Sequence, residues 1–223
     1  MTVTAVSPNL TKKLHIDTKV AEFVLIKFLE NEISKAGFQK AVLGLSGGID
    51  SALSCYLVTK ALGPENVLAL RLPHQASSAE SLAHADLVIE ALGIGSETVE
   101  ITGMVEALAN ASPGMNAHRK GNVMARARMM VIFDRSLAES ALVIGTSNKT
   151  ELMLGYGTIF GDLASAVNPI GDLYKTQVRQ LSRALGVPDA IIDKAPSADL
   201  IPGQTDEDDF GFSYETVDQL LYL

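Results

Sequence analysis

Short apolar runs alternate along the chain with longer helical patterns. Four runs of four to six residues, bounded by turn formers, are typical of buried strands: 41–45, 67–72, 98–101 and 141–144. Helical patterns lie at 17–35, 50–62, 79–92, 123–138, 172–185 and 214–221, and another helix is predicted after Asn148. Strands that alternate with helices predict an α/β fold, a doubly wound parallel sheet with helices on both faces.

The first predicted strand ends in a loop of small residues. Ser46, Gly47 and Gly48 separate the strand from a helix that begins at Asp50. Adjacent glycines let the backbone approach a ligand, and the helix N-terminus adds unpaired N–H groups and a positive dipole end. A tight turn with Asp50 at a helix N-terminus also fits. SGGxDS directly after a buried strand is more specific and predicts a phosphate site over 44–51.

The residue types in this loop also predict a metal ion. The common phosphate loop, GxxxxGK[ST], has a lysine where this chain has Ile49 and Asp50. A carboxylate is tolerated beside a phosphate when a cation lies between them. We therefore expect Asp50 to bind Mg²⁺, with the hydroxyls of Ser46 and Ser51 on the phosphates.

A second junction of strand, polar turn and helix begins at residue 145. Thr146 stands at the strand end, where a hydroxyl can meet a phosphate, and Glu151 lies about one turn into the next helix. Glu151 is a plausible second carboxylate for the metal, provided that its strand neighbours the strand before Asp50. Lys175 lies near the start of another helix, where the dipole disfavours a cation; a phosphate contact or surface exposure would explain it.

Composition narrows the classes of partner. The 223 residues are 47% hydrophobic and carry a formal net charge of −8, which argues against a nucleic-acid partner. No apolar run reaches the ~20 residues of a membrane span, and the N-terminus has no signal-peptide pattern. The single cysteine, Cys55, fits a reducing cytoplasm and a small core residue. The four histidines lie far apart along the chain, so we predict no zinc site.

The chain is predicted to form one domain over 1–223. Residues 1–16 are interpreted as an N-terminal arm, and the acidic, turn-rich segment 197–213 as a mobile lid loop. The turn formers of 110–120 should also be mobile, with Asn122 capping the next helix. On that helix, Arg126 and Arg128 lie about 200° apart, so only one can reach a given ligand. The long apolar coverage of the helix makes it a candidate for a subunit contact.

Five motifs then agree in order and spacing with one family. They are GLSGGIDS (44–51), GNVMARARMM (121–130), IGTSNKTELMLGYGTIFGD (144–162), NPIGDLYKTQV (168–178) and PSADLIPGQTDEDDFG (196–211). Together they resemble ammonia-dependent NAD⁺ synthetase, a member of the N-type ATP pyrophosphatase superfamily with its adenine nucleotide alpha hydrolase-like fold. The resemblance covers nearly the whole chain from residue 17.

The resemblance implies a ligase that converts deamido-NAD⁺ to NAD⁺. ATP would adenylate the nicotinate carboxylate with release of pyrophosphate, and ammonia would then displace AMP. By similarity, Asp50 and Glu151 hold Mg²⁺, Arg126 contacts deamido-NAD⁺ and Asp162 lies near the incoming ammonia. The ATP contacts would be Gly44, Leu45, Ser46, Gly47, Gly48, Ile49, Asp50, Ser51, Thr146, Lys175 and Ser197. Among these, Asp50 and Lys175 would join Asp162 as catalytic residues. The family also implies a homodimer.

Two positions depart from the pattern of many family members. Ile159 and Ala166 occupy places where those members have a Lys and an Asp for deamido-NAD⁺. Alternative functions are a non-catalytic adenine-nucleotide-binding module and another ATP pyrophosphatase, such as a GMP synthetase-like enzyme. A binding module predicts loss of Asp50 or Glu151, and both are present. The tRNA-modifying relatives would want a basic surface.

Overall fold

A parallel sheet of four strands organises the molecule. A computed structural model describes residues 12–197 and 205–223. The strands are β1 (Lys40–Gly44), β2 (Val67–Arg71), β3 (Gly95–Thr98) and β4 (Ala141–Val143), in the order β3-β2-β1-β4. All three strand pairs are parallel, with Leu43 opposite Ala69 and Val42 opposite Val143. Because β4 pairs with β1, the two strand–turn–helix junctions lie side by side at one edge of the sheet.

Helices cover both faces of this sheet. They are α1 (Thr18–Lys35), α2 (Ile49–Leu62), α3 (Ala79–Leu92), α4 (Thr102–Asn110), α5 (Ala117–Glu139), α6 (Lys149–Leu154), α7 (Lys175–Leu185), α8 (Asp189–Ile192), α9 (Asp206–Phe210) and α10 (Tyr214–Leu221). Neighbouring residues of β1 point to opposite faces, and each joins a different core. Leu43 packs with α1, α2 and α7, whereas Val42 packs with α4 and α5. The predicted doubly wound α/β fold is confirmed.

Helix α2 is the most enclosed of the helices in the described part of the chain. Every residue from Ser51 to Thr59 is buried, including Cys55, because α1, α7 and the sheet surround it. Burial raises the pKa of the Cys55 thiol to about 12, so this residue is a core side chain rather than a nucleophile.

Several expected boundaries were wrong, including the start of the helix expected over 172–185, which begins at Lys175. Asn122 does not cap α5; Asn116 does, by accepting a hydrogen bond from the Arg119 amide at 2.9 Å. Of the segment 110–120, expected to be turns, residues 117–120 therefore form the first turn of that helix, while 111–116 are turns and irregular chain. The third strand occupies Gly95–Thr98 rather than 98–101, and it is followed by α4, which the apolar pattern did not indicate.

The two ends of the chain are only partly described. Residues 1–11 of the expected arm and 198–204 of the expected lid lie outside the described residues. Leu14 is buried, and its carbonyl accepts hydrogen bonds from Gln177 and Gln180 of α7. Within 205–213, α9 forms a short helix. Among the described residues, no helix combines the length and apolarity that crossing a membrane requires.

Candidate active site

The loop between β1 and α2 is held open by its own serines. Ser51 Oγ donates to the Gly48 carbonyl at 3.0 Å and lies 3.1 Å from Ser46 Oγ, which accepts from the Gly48 amide at 3.2 Å. These bonds shape the backbone where α2 begins, with Gly48 as its N-cap. A helix N-terminus after a glycine-rich turn is suited to bind an anion.

Gly47 brings this loop against the start of α3. Its φ is +78°, a left-handed conformation that side chains rarely adopt. A Cβ on Gly47 would lie 2.1 Å from the Ser81 carbonyl oxygen, a backbone atom that no rotamer change can move. The position therefore requires glycine for two independent reasons, backbone conformation and space.

We expect Gly47→Ala to reduce stability and ligand binding by more than the strain of a positive φ alone would. Gly93 has a similar φ of +63° but nothing within 4 Å of its would-be Cβ, so Gly93→Ala isolates the conformational cost, about 1 kcal/mol. In chemical denaturation, the free energy of unfolding should fall by about 1 kcal/mol more in Gly47→Ala than in Gly93→Ala, because the clash displaces the loop. For the same reason, the KM of Gly47→Ala for ATP should rise about tenfold. Equal losses in the two variants, with an unchanged KM, would contradict this.

Two carboxylates converge on one buried lysine. Lys175, the first residue of α7, places Nζ 2.5 Å from Asp50 Oδ2 and 3.5 Å from Glu151 Oε1. Asn148 joins the same group: its Nδ2 donates to Asp50 Oδ1 at 2.9 Å, and its Oδ1 accepts from the Glu151 amide at 3.0 Å. Residues from both junctions of the sheet edge and from α7 are thus held within hydrogen-bonding distance of one another.

The electrostatics of this cluster favour a further cation. Burial alone would lower the pKa of Lys175, but the carboxylates of Asp50 and Glu151 raise it above its ordinary value. Burial raises the pKa of Glu151, and the nearby charge of Asp50 raises it further. The Lys175 ammonium lowers the pKa of Glu151 again, and a cation bound between the two carboxyl groups would likewise favour their ionised forms.

The donor set suits Mg²⁺ better than a metal held by protein alone. Among the described residues, no group of three or more His, Cys, Asp or Glu could hold a metal ion. Mg²⁺ is usually bound by one or two carboxylates together with phosphate oxygens and waters. Asp50 and Glu151 offer two such carboxylates beside the anion-binding loop, so these residues fit a metal that arrives with a phosphate ligand.

A third carboxylate next to this cluster was not predicted from the sequence. Asp206 of α9 is buried and accepts hydrogen bonds from Tyr214 Oη at 2.8 Å and Tyr156 Oη at 3.2 Å. Burial raises the pKa of Asp206, and the charge of Lys175 lowers it. The sequence indicated only an acidic stretch, and no local signal distinguishes Asp206 from its acidic neighbours.

A cavity of about 560 Å³ opens over the phosphate loop. Asp162, which accepts from the Thr158 amide at 2.9 Å, is among the residues that line it. The sequence-predicted residues that line it are Gly44, Leu45, Ser46, Gly48, Ile49, Asp50, Ser51, Thr146, Glu151, Asp162, Lys175 and Ser197. The tertiary structure thus gathers residues from the two junctions, from 155–164 and from the segment after α8 around one space.

The two arginines of α5 have different surroundings. Arg128 lines the cavity and donates from Nε to the Leu72 carbonyl at 3.0 Å. Arg126 is exposed, and its Nε donates to the carbonyl of Ile159 at 3.2 Å. Of the two, the described cavity wall includes Arg128 and not Arg126. Arg126 instead contacts the backbone of Ile159, whose side chain is exposed.

Comparisons with known proteins identify the family. The sequence profile described as NAD synthase matches residues 22–223. The chain belongs to the NAD synthase family. It is 60% identical over 210 residues to the NH₃-dependent NAD⁺ synthetase of Chlorobaculum parvum, an alignment that covers 94% of this chain and 76% of that protein.

Two solved structures share the fold of this NAD synthase family member. The NMN synthetase of Francisella tularensis superposes with a TM-score of 0.89 at 38% identity, covering 93% of this chain and 87% of that one. The NH₃-dependent NAD synthetase of Campylobacter jejuni gives a TM-score of 0.78, also at 38% identity, covering 94% and 89%. The family and the fold expected from the motifs are therefore confirmed.

Proposed function

We propose that this chain is the ligase that amidates deamido-NAD⁺ to NAD⁺ with ammonia at the expense of ATP. The observation that carries the proposal is the buried cluster of Asp50, Glu151 and Lys175 beside the loop at 44–51. It provides an anion site and a metal site in one place, as adenylation by ATP requires. Family membership supports the ligase class and the use of ATP.

In the first step a carboxylate oxygen of the nicotinate ring attacks the α-phosphorus of ATP. The bond from that phosphorus to the bridging oxygen breaks, and pyrophosphate leaves. Three kinds of donor along the cavity are suited to bind the phosphates. They are the first amides of α2, the hydroxyls of Ser46 and Ser51, and the hydroxyl of Thr146, three residues after β4. The Lys175 ammonium, held in place by Asp50, stabilises negative charge as it moves toward pyrophosphate.

Mg²⁺ is part of the proposal. Asp50 and Glu151 would hold it, and when bound it supplies positive charge that neutralises phosphate oxygens. The two carboxyl groups beside the loop at 44–51 support this assignment, since a bound cation favours their ionised forms. The two carboxylates come from neighbouring junctions of the sheet, which fits a cation placed between the loop and the helix α6.

In the second step ammonia attacks the acyl carbon of the adenylate. The bond from that carbon to the AMP oxygen breaks, AMP leaves and ammonia loses one proton as the amide forms. Asp162 lines the cavity, is exposed, and is oriented by the Thr158 amide. We assign to it the removal of a proton from ammonium or from the attacking ammonia. We also assign Arg126 to deamido-NAD⁺, since it presents an exposed guanidinium near the 155–164 segment.

The test is an assay of the purified chain with ATP, Mg²⁺, ammonium and deamido-NAD⁺, with products separated by chromatography. Equal amounts of NAD⁺, AMP and pyrophosphate are expected. ATP cleaved to ADP and phosphate would contradict the adenylation route. Binding of ATP without any turnover would favour the non-catalytic module.

A second substrate is worth the same assay because of one observation. The structure named NMN synthetase superposes on this chain with a TM-score of 0.89, compared with 0.78 for the NAD synthetase of C. jejuni. The mononucleotide counterpart of deamido-NAD⁺ carries the same nicotinate carboxylate. A kcat/KM at least tenfold higher for deamido-NAD⁺ is the result that our proposal expects, and the reverse preference would favour NMN synthesis.

We further propose that the enzyme is a cytoplasmic homodimer that pairs through α5. This helix exposes Met130, Phe133 and Leu137, the last at 85% of its surface, although most of its length packs on the sheet. Exposed apolar side chains on one helix are typical of a subunit contact. The compartment is supported by the free, buried thiol of Cys55.

The dimer proposal predicts that Leu137→Lys lowers the solution mass to that of a monomer. A buried lysine at the centre of an apolar contact loses its hydration, so the association constant should fall by about a hundredfold or more. Sedimentation equilibrium measures this directly. Val24→Lys on α1, at a site exposed to 53%, is the matched control and should leave the mass unchanged. Dissociation by the control alone would move the interface to α1.

A further inference from the structure

Asp218 occupies a place that neither the motifs nor the proposed chemistry explains. It lies on the last helix, α10, and its carboxylate is fully buried. One oxygen accepts a hydrogen bond from Thr150 Oγ1 at 2.6 Å, and the other accepts from the amide of Thr176 at 2.8 Å. A buried carboxylate needs such donors, because ionisation without them is costly.

The two partners of Asp218 are the chain neighbours of two site residues. Thr150 directly precedes Glu151 on α6, and Thr176 directly follows Lys175 on α7. Thr150 Oγ1 also accepts the Lys175 amide at 2.9 Å, so its hydroxyl donates to Asp218 and accepts from the backbone of the catalytic lysine. Asp218 therefore joins the first turns of two helices that come from distant parts of the chain.

The position of the Asp218 carboxylate also suits the helix dipole of α7. This helix has 11 residues, and its N-cap, Tyr174, makes no side-chain cap hydrogen bond. The Asp218 carboxylate instead caps the first turn by accepting from the Thr176 amide, at the end of the helix where the dipole favours a negative charge. It thereby offsets the unfavourable position of the Lys175 ammonium at the same end of the helix.

We infer that Asp218 is a positioning residue, which sets the distance between the Lys175 ammonium and the Glu151 carboxylate by clamping α7 to α6 through Thr150 and Thr176. It does not touch the substrates itself. The inference rests on the proposed function, since it assumes that Lys175 and Glu151 act in catalysis. A displacement of about 1 Å of such groups can reduce turnover by roughly a hundredfold.

The experiment is a double-mutant cycle with Asp218→Asn and Thr150→Val, each a near-isosteric change. Each single variant should lower kcat by about tenfold to a hundredfold, while the KM for deamido-NAD⁺ changes less than about threefold. The double variant should be no worse than the poorer single variant, since both break one clamp. Thr150→Ser keeps the hydroxyl and should restore kcat. Glu215→Gln, on the same helix but paired with Arg179 at the surface, is the matched control.

This design distinguishes a loss of catalysis from a loss of folded protein. Thermal unfolding of each variant gives the folded fraction at the assay temperature, and a loss of kcat that only tracks this fraction would overturn the inference. Additive losses in the double variant, or Asp218→Asn at the wild-type kcat, would also overturn it and leave the proposed function intact. Wild-type protein that forms no NAD⁺ would instead overturn the proposed function, and with it this inference.

Discussion

Lys175→Met is expected to reduce kcat/KM for ATP by about a hundredfold to a thousandfold. The side chain is 2% exposed and lies between Asp50 and Glu151, so methionine removes the one ammonium from a place with two carboxylates. Phosphate oxygens then meet uncompensated negative charge, which opposes both ATP binding and the build-up of charge on pyrophosphate. Initial rates of NAD⁺ formation over a range of ATP concentrations measure the effect.

The control for this variant is Lys60→Met. Lys60 lies at the far end of the same helix as Asp50, and its ion pair with Glu22 is exposed. Such a pair contributes little, about 0 to 1 kcal/mol, so kcat/KM should stay at the wild-type value. A Lys175→Met enzyme within tenfold of the wild type would show that Lys175 is a structural counter-ion only, and the role proposed for it would fail.

Asp50→Asn is expected to raise the Mg²⁺ concentration for half-maximal activity by about tenfold to a hundredfold. The substitution keeps the shape of the side chain and removes one of the two proposed metal-binding carboxylates. Both oxygens of Asp50 accept hydrogen bonds, one from Lys175 and one from Asn148. Asparagine replaces one of these oxygens with an NH₂ group, which cannot accept, so one of the two bonds is lost. Titration with MgCl₂ at saturating ATP gives the midpoint, and kcat should fall by about a hundredfold or more.

A matched Asp→Asn change tests whether the effect is specific to the site. Asp193 is 71% exposed and pairs with Arg183 at the surface, so Asp193→Asn should leave the Mg²⁺ midpoint unchanged. Glu151→Gln should shift the midpoint in the same direction as Asp50→Asn. An unchanged midpoint in both site variants would contradict the assignment of Mg²⁺ to these carboxylates, whatever happens to kcat.

Local sequence determined a large part of the fold. Strands and helices followed from the alternation of apolar runs and longer periodic segments. The family followed from the order and spacing of five motifs of eight to nineteen residues. The boundaries were less predictable, as at α5, where Asn116 and Asn122 are equally good cap residues by type. Asn116 is the cap because residues 117–120, after it, form the first turn of the helix, and residue type alone does not choose between the two asparagines.

The candidate functional residues also fall into two groups, those that local sequence predicts and those that only tertiary contacts bring together. The sequence by itself determined which residue types stand at the phosphate loop, because a glycine turn between a strand and a helix is a local property of the backbone. Only the tertiary structure decided which distant residues meet there. Pairing of β1 with β4 brings Glu151 toward Asp50, and packing of α7 on α10 brings Lys175 and Asp218 to the starts of neighbouring helices. Asp206 of α9 is held beside them by its hydrogen bond from Tyr214. These approaches depend on contacts between residues far apart in the chain, such as Asp50 and Lys175, which are 125 positions apart. The spacing of residues along a chain cannot specify such contacts, because they are set by the burial of apolar surface in the whole domain.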